Sequence, residues 1–220
     1  MANLAETKWK KLLSRSRLFC LIPFVDFVFV AGSMAMGTAE ENSDFDVIVG
    51  CRKGRIFIVR FCCFIHFGLF GWRKKKEECG SLAKDKFCFS HFVTPESYRL
   101  SGPHNDYWKK LYQSIVPIYG SAEFIQKFYD ANADWMGKRR IYKEDGRILL
   151  CQTGFIKKVR EIILSGKFGD LIENILKKIQ IKKIEKSLKT EESYKPRIIY
   201  GDGELELHPD TKRIEEFCEK

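Results

Sequence analysis

The twenty residues from Val30 to Val49 constrain this chain more than any other stretch. They read Val30-Ala31-Gly32-Ser33-Met34-Ala35-Met36-Gly37, then Thr38 to Asn42, then Ser43-Asp44-Phe45-Asp46-Val47-Ile48-Val49. Just ahead, Asp26 to Ala31 is a run of Phe and Val that predicts a buried strand. It ends at Gly32, where a residue without Cβ lets the chain turn tightly and approach a neighbour closely. Ser33 falls at the start of a short helix, whose first turn leaves backbone N–H donors unpaired and favours an anion. A second strand, Phe45 to Val49, begins at the acids. Strand side chains alternate, so Asp44 and Asp46 share one face while Phe45 and Val47 turn to the core. Two carboxylates a few Å apart repel by roughly 4 kcal/mol at an effective dielectric of about 20, so a positive group belongs between them. A hard divalent cation, Mg²⁺ or Mn²⁺, is the natural occupant, keeping water and phosphate oxygens in its other positions.

Gly-Ser, a Gly four residues on, then Ser-Asp-x-Asp followed by apolar residues resembles the signature of the DNA polymerase β-like nucleotidyltransferase superfamily, particularly its minimal members. The resemblance matches Gly32 and Ser33 to the phosphate-binding turn and Gly37 to the internal glycine. Ser43 matches the residue before the acids, and Asp44 and Asp46 the metal ligands. It implies an α+β fold in which residues 1–100 form the catalytic domain, a small mixed β-sheet with flanking helices, and residues 101–220 a mostly helical C-terminal region. The implied reaction moves a nucleoside monophosphate from an NTP to a hydroxyl or phosphate acceptor and releases pyrophosphate, with Mg²⁺ or Mn²⁺ as cofactor. The acceptor stays open between a small molecule, a tRNA end and a protein side chain, because one fold and one metal site serve all of them.

Three departures qualify the resemblance. Met34 and Met36 stand near positions where relatives carry Arg, so nucleotide binding is weaker or another cation substitutes. The family often places a third carboxylate on a later strand beside the acidic pair, yet the strand read at Lys86 to Val93 holds no acid. Asp85 at its leading edge is the candidate third catalytic acid, with Glu77 and Glu78 behind it. Finally, Ile56 to Trp72 is almost wholly apolar and closes with Arg73-Lys74-Lys75-Lys76. Arg60 and His66 offset its apolar residues, and it falls short of the roughly 20 residues a membrane span needs. A buried crossover helix packed on the sheet is the preferred reading; a helix lying on an anionic membrane, anchored by Phe70, Trp72 and the lysines, is the alternative.

With 220 residues and 45% hydrophobic content, the chain can fill a proper core, which excludes a disordered or fibrous protein. Glu6, Lys8, Lys10 and Lys11 occupy the place where a signal peptide needs an apolar block, so a cytoplasmic location is expected. Eight cysteines form no C-x-x-C pair, and reduced core thiols are expected in place of zinc or disulfides. The net charge of +10 gathers at Lys8 to Arg17, at Arg73 to Lys76 and from Lys157 to Lys189. Such a surface suits tRNA or another nucleic acid, but lysine pairs at helical spacing are commonly a solvated helix face, and that is the preferred reading. Beyond the third strand the pattern turns helical: Asn105 to Ile115, stopped by Pro117; Ala122 to Asn132, capped by Ser121; Ile148 to Ser165; and Asp170 to about Leu188. Tyr200 to Gly203 reads as a turn, and Glu204 to Leu207 alternates like a short strand. Two further readings stand beside the enzyme: a non-catalytic, antitoxin-like relative that binds nucleotide or a partner, and a basic nucleic-acid or membrane-surface binder on the same scaffold.

Overall fold

Val25–Val30 forms strand β1, buried along its whole length, as expected for β-branched and aromatic side chains on a pleated surface covered on both faces. The computed structural model describes residues 4–102, 104–137, 154–188 and 197–208. After β1 come helix α2 (Gly32–Met36), β2 (Phe45–Cys51), α3 (Ile56–Leu69) and β3 (Phe87–Val93), preceded in the chain by α1 (Leu4–Ser16). Then follow α4 (Asp106–Gln113), β4 (Val116–Gly120), α5 (Ala122–Ala131), α6 (Ala133–Met136), α7 (Phe155–Ile163), α8 (Gly166–Leu188), β5 (Arg197–Tyr200) and β6 (Glu204–His208). The fold is α+β, with one mixed six-stranded sheet in the order β4-β1-β2-β3-β6-β5. Among the described strands only β2 and β3 pair in parallel, and α3 is the crossover that joins them.

Alternation sorts the strand residues into two cores. Val28, Val30, Val47 and Val49 face one layer with Leu12, Phe57, Cys63 and Phe67. Phe27, Phe29 and Ile48 face the other with Trp108, Tyr112, Ile125 and Phe128. The crossover reading of Ile56 to Trp72 therefore holds for the inner side of α3, and no described helix is long and apolar enough to cross a membrane. Glu173 of α8 reaches back to cap α3: its two carboxylate oxygens accept from the Phe57 and Ile58 N–H groups, each at 2.8 Å. A carboxylate suits the orphan donors of a helix N-terminus.

The sheet draws strands from both expected regions, since β4, β5 and β6 lie beyond residue 100. Pro117 does not merely stop a helix. It sits inside β4, tolerated there because β4 is an edge strand whose outer side needs no ladder donor. The helix expected from Ile148 is seen as α7 from Phe155 onward, and residues 148–153 lie outside the described residues. Cys51, Cys62, Cys63, Cys79 and Cys88 are free thiols, but Cys20 is disulfide-bonded, which corrects the all-reduced expectation.

Asp26, on β1, carries a stability prediction. Burial, opposed in part by Arg52 and Lys157, raises its pKa from 3.8 to about 6. A carboxyl whose folded pKa is raised contributes its full stability below the unfolded value and loses it as pH rises through about 6. Asp26→Asn removes that titration, so the variant gains on the parent by an order of 2 to 3 kcal/mol between pH ~4 and ~8. Melting curves at both pH values check this; an equal difference at the two would refute it.

Candidate active site

Gly32 opens α2 with φ +61, and its backbone lies directly against Asp46. A Cβ built on Gly32 would stand 2.1 Å from Asp46 Oδ2, well inside any non-bonded contact. The Ala31 N–H donates to the Asp46 carbonyl at 2.9 Å, which locks the turn to β2 just where the acid projects. Gly37, in the left-handed region with φ 73, ends the short helix, and its N–H donates to the Ser33 carbonyl. The structure thus brings Gly32, Ser33 and Asp46 together, while Gly37 shapes the helix end.

Asp44 and Asp46 are both half-buried and lie on the same side of the start of β2. Cys88 is the register partner of Asp46 on β3, and one ligand atom from each of Asp44, Asp46 and Cys88 lies within 4.8 Å of the others. Cys88 thus occupies the place beside the acidic pair where the resemblance implies a third carboxylate. Burial, and then the negative charges of Asp46 and Asp44, push its thiol up to about 12, so it is neutral at physiological pH. A neutral thiol is neither a ligand for a hard cation nor a general base.

Asp85 is engaged elsewhere. Its carboxylate takes Lys8 Nζ at 2.8 Å and also Lys11, and its carbonyl accepts from Arg15 at 2.6 Å. Burial works against its charge, but the hydrogen bonds and attraction of the two lysines outweigh it and hold its pKa below the ordinary 3.8. Lys8 also donates to the Ser43 carbonyl at 2.9 Å, and the Asp85 N–H donates to that carbonyl at 3.1 Å. Asp85 and α1 therefore brace the loop that presents Asp44. Part of the basic cluster at Lys8 to Arg17 is spent on this brace, not on a solvent-facing surface. Ser43 has a related duty, its hydroxyl accepting from the Glu40 N–H at 2.9 Å.

A cation stands beside the acids, and it does not come from α2. Met34 is buried in the core, so a charged side chain at that position would have to enter it. Lys74, from the basic run after α3, sits 2.6 Å from Asp44 Oδ2. It is positioned because the Lys74 N–H donates to the Phe87 carbonyl at 2.9 Å, aligning this segment with the start of β3. Burial lowers its basicity, but the hydrogen bond and attraction of Asp44, with Cys88 and Asp46 behind, hold the Lys74 pKa above the ordinary 10.5. The signal in the sequence was the lysine run itself, and only the parallel β2-β3 pairing reveals which lysine faces the acids.

A second group with donors suited to a metal lies on β3 and β6: His91, Glu204 and Glu206, all buried and within 4.8 Å of one another. His91 Nε2 is 3.0 Å from Glu204 Oε1, and Tyr112 from α4 stands 3.4 Å from Nδ1. The alternation at Glu204 to Leu207 announced a strand, but nothing local showed that β6 would pair with β3. Compared with family models, with curated proteins and with solved structures, the chain matches none.

Proposed function

We propose that this protein is a metal-dependent nucleotidyltransferase, moving a nucleoside monophosphate from an NTP to a hydroxyl or phosphate acceptor with release of pyrophosphate. The observation that carries the reading is the bare backbone of Gly32 pressed against Asp46, beside a second carboxylate, Asp44, just ahead of the same strand. That cradle leaves a pair of acids beside a Gly-Ser turn. The donor set fits a hard divalent ion held by Asp44 and Asp46 alone, since Mg²⁺ binds through one or two carboxylates and keeps several waters. When bound, the ion supplies activation of the attacking oxygen and countercharge for the leaving pyrophosphate.

The chain's own residues do the rest. The Gly32 and Ser33 backbone and the Ser33 hydroxyl offer donors to phosphate oxygens. Lys74 neutralises Asp44 and is the cation beside the acids whose ammonium would face the charge of a triphosphate. An NTP partner follows from this reading.

The test is Mg²⁺- or Mn²⁺-dependent pyrophosphate release with each of the four NTPs. Asp44→Asn and Asp46→Asn are each expected to lower the rate by about a thousandfold or more, with melting temperatures retained. Absence of metal-dependent release from the parent with any NTP, across hydroxyl and phosphate acceptors, refutes catalysis. Cys88 favours one second reading, a nucleotide-binding relative without turnover, because no group of the Asp44, Asp46 and Cys88 cluster is a base suited to the acceptor's proton. Saturable NTP binding without pyrophosphate release would select it.

A further inference from the structure

Helix α7 is seated with its polar side inward. Lys157 is 6% exposed and donates to the Val25 carbonyl at 2.9 Å and to the Tyr119 hydroxyl at 2.8 Å. Arg160 donates to the Leu21 carbonyl at 2.9 Å, and Glu161 accepts from the Phe24 N–H at 2.8 Å. These contacts fix the rotation of the helix and turn its apolar side out, leaving Phe155 81% and Ile162 74% exposed. Hydrophobic burial alone would choose the opposite rotation.

The neighbouring helices continue this surface. α3 lies between α7 and α8, held on one side by Arg160 against His66 and on the other by Glu173 and Gln180. Phe61, Ile65 and Leu69 recur every fourth residue along the outer side of α3. Leu171, Ile175 and Ile179 do the same on α8. Among the described residues, every exposed large hydrophobic other than Leu4, Leu82 and Tyr200 lies on these three helices or on Phe70, just after α3. An exposed apolar surface so concentrated marks an interaction site.

Charge selects the occupant. Of the four acids on α7 and α8, Glu161 and Glu173 are turned to the protein body, against Phe24 and the start of α3, and the exposed Asp170 is paired with Arg55 at 2.7 Å, which leaves Glu185 beside the lysines. α3 carries no acid at all. Lys178, Lys182 and Lys186 are exposed and recur on α8 with the spacing that brings them alongside Ile175 and Ile179. Lysines interleaved with an apolar stripe lay their stems along it and carry their ammonium groups to a phosphate plane. A second copy of this chain would set the same lysines against one another. We propose that α3, α7 and α8 form a docking surface for an anionic lipid bilayer, with the outer side of α7 seated at the boundary between headgroups and acyl chains. The proposal is independent of the chemistry at Asp44 and Asp46.

Flotation of the full chain with phosphatidylcholine vesicles, with and without phosphatidylserine, tests it. Binding is expected only with phosphatidylserine and is expected to fall as salt rises. Replacing Lys178, Lys182 and Lys186 together by Gln should weaken it by about a hundredfold. The double variant Ile162→Glu, Leu171→Glu, at two exposed positions, should abolish it while circular dichroism and melting stay those of the parent. No flotation at low salt overturns the proposal, as does equal flotation with both vesicle types. A concentration-dependent dimer that Ile162→Glu dissolves would overturn it too, assigning the surface to a second copy.

Discussion

Gly32→Ala is expected to lower metal-dependent pyrophosphate release, the proposed activity, by about a hundredfold or more, because the new methyl and the Asp46 carboxylate cannot both keep their places. With φ +61, an L side chain at this position is strained before any neighbour is considered. The added Cβ would then meet Asp46 Oδ2 at 2.1 Å, and the Asp46 side chain cannot retreat far while its own carbonyl is held by the Ala31 N–H at 2.9 Å. Either the turn shifts or the carboxylate rotates, and both move a proposed metal ligand relative to the backbone proposed to bind phosphate. Gly37→Ala separates this effect from backbone strain. Gly37 is also left-handed, φ 73, but a Cβ there meets nothing within 4 Å. It should cost roughly 1 kcal/mol of stability and leave turnover near that of the parent. Rates and melting curves of the two variants decide the matter: if Gly32→Ala keeps the parental rate, the close approach of Gly32 to Asp46 has no part in the reaction.

The contrast between these two glycines also shows which parts of the site the sequence could announce. Both were legible as special positions, because a Gly at the end of an apolar run marks a tight turn and one closing a short helical stretch marks a left-handed cap. What separates them is a distance across two strands, and no local pattern encodes that. The same limit governs the third site residue. Asp44 and Asp46 are spaced by the strand repeat and so were placed on one face from sequence. Cys88 enters through the parallel register of β2 and β3, a non-local pairing across a crossover helix, so the nearest acid in sequence, Asp85, looked the better candidate. Asp85 instead answers two lysines of α1 more than seventy positions away. The strands β1, β2, β3 and the helix α5 were legible because their apolar periods are clean, whereas the stripe of Leu171, Ile175 and Ile179 that announced α8 lies exposed, and the helix is held to the body by other residues, Glu173 and Gln180. β4 was not, because Pro117 argues against a strand everywhere except at an edge, and edge status is a property of the finished sheet.

Cys88→Asp is the complementary change, and it should raise turnover. The register pairs Cys88 with Asp46, so a carboxylate at this position joins the two acids from the neighbouring strand. The native thiol, pushed up to about 12, contributes no charge and accepts no proton at physiological pH. An aspartate adds an oxygen donor for a hard cation and a group able to take the acceptor's proton, an effect of about 10²-fold where such a base is well placed. It also concentrates three carboxylates where Lys74 is the cation already engaged with Asp44, so without a divalent ion their mutual repulsion must cost stability. The variant is therefore expected to melt a few degrees below the parent in chelator and to regain more than the parent when Mg²⁺ or Mn²⁺ is added. This second readout does not depend on knowing the acceptor. Cys88→Ser is the control, nearly isosteric and uncharged, and should leave both rate and metal response unchanged. If Cys88→Ser abolishes turnover, the thiol itself takes part in the chemistry and the sulfur is no inert neighbour of the acids. If Cys88→Asp gains no metal-dependent stability, the three positions do not share an ion, and the two-carboxylate centre proposed for catalysis loses its footing.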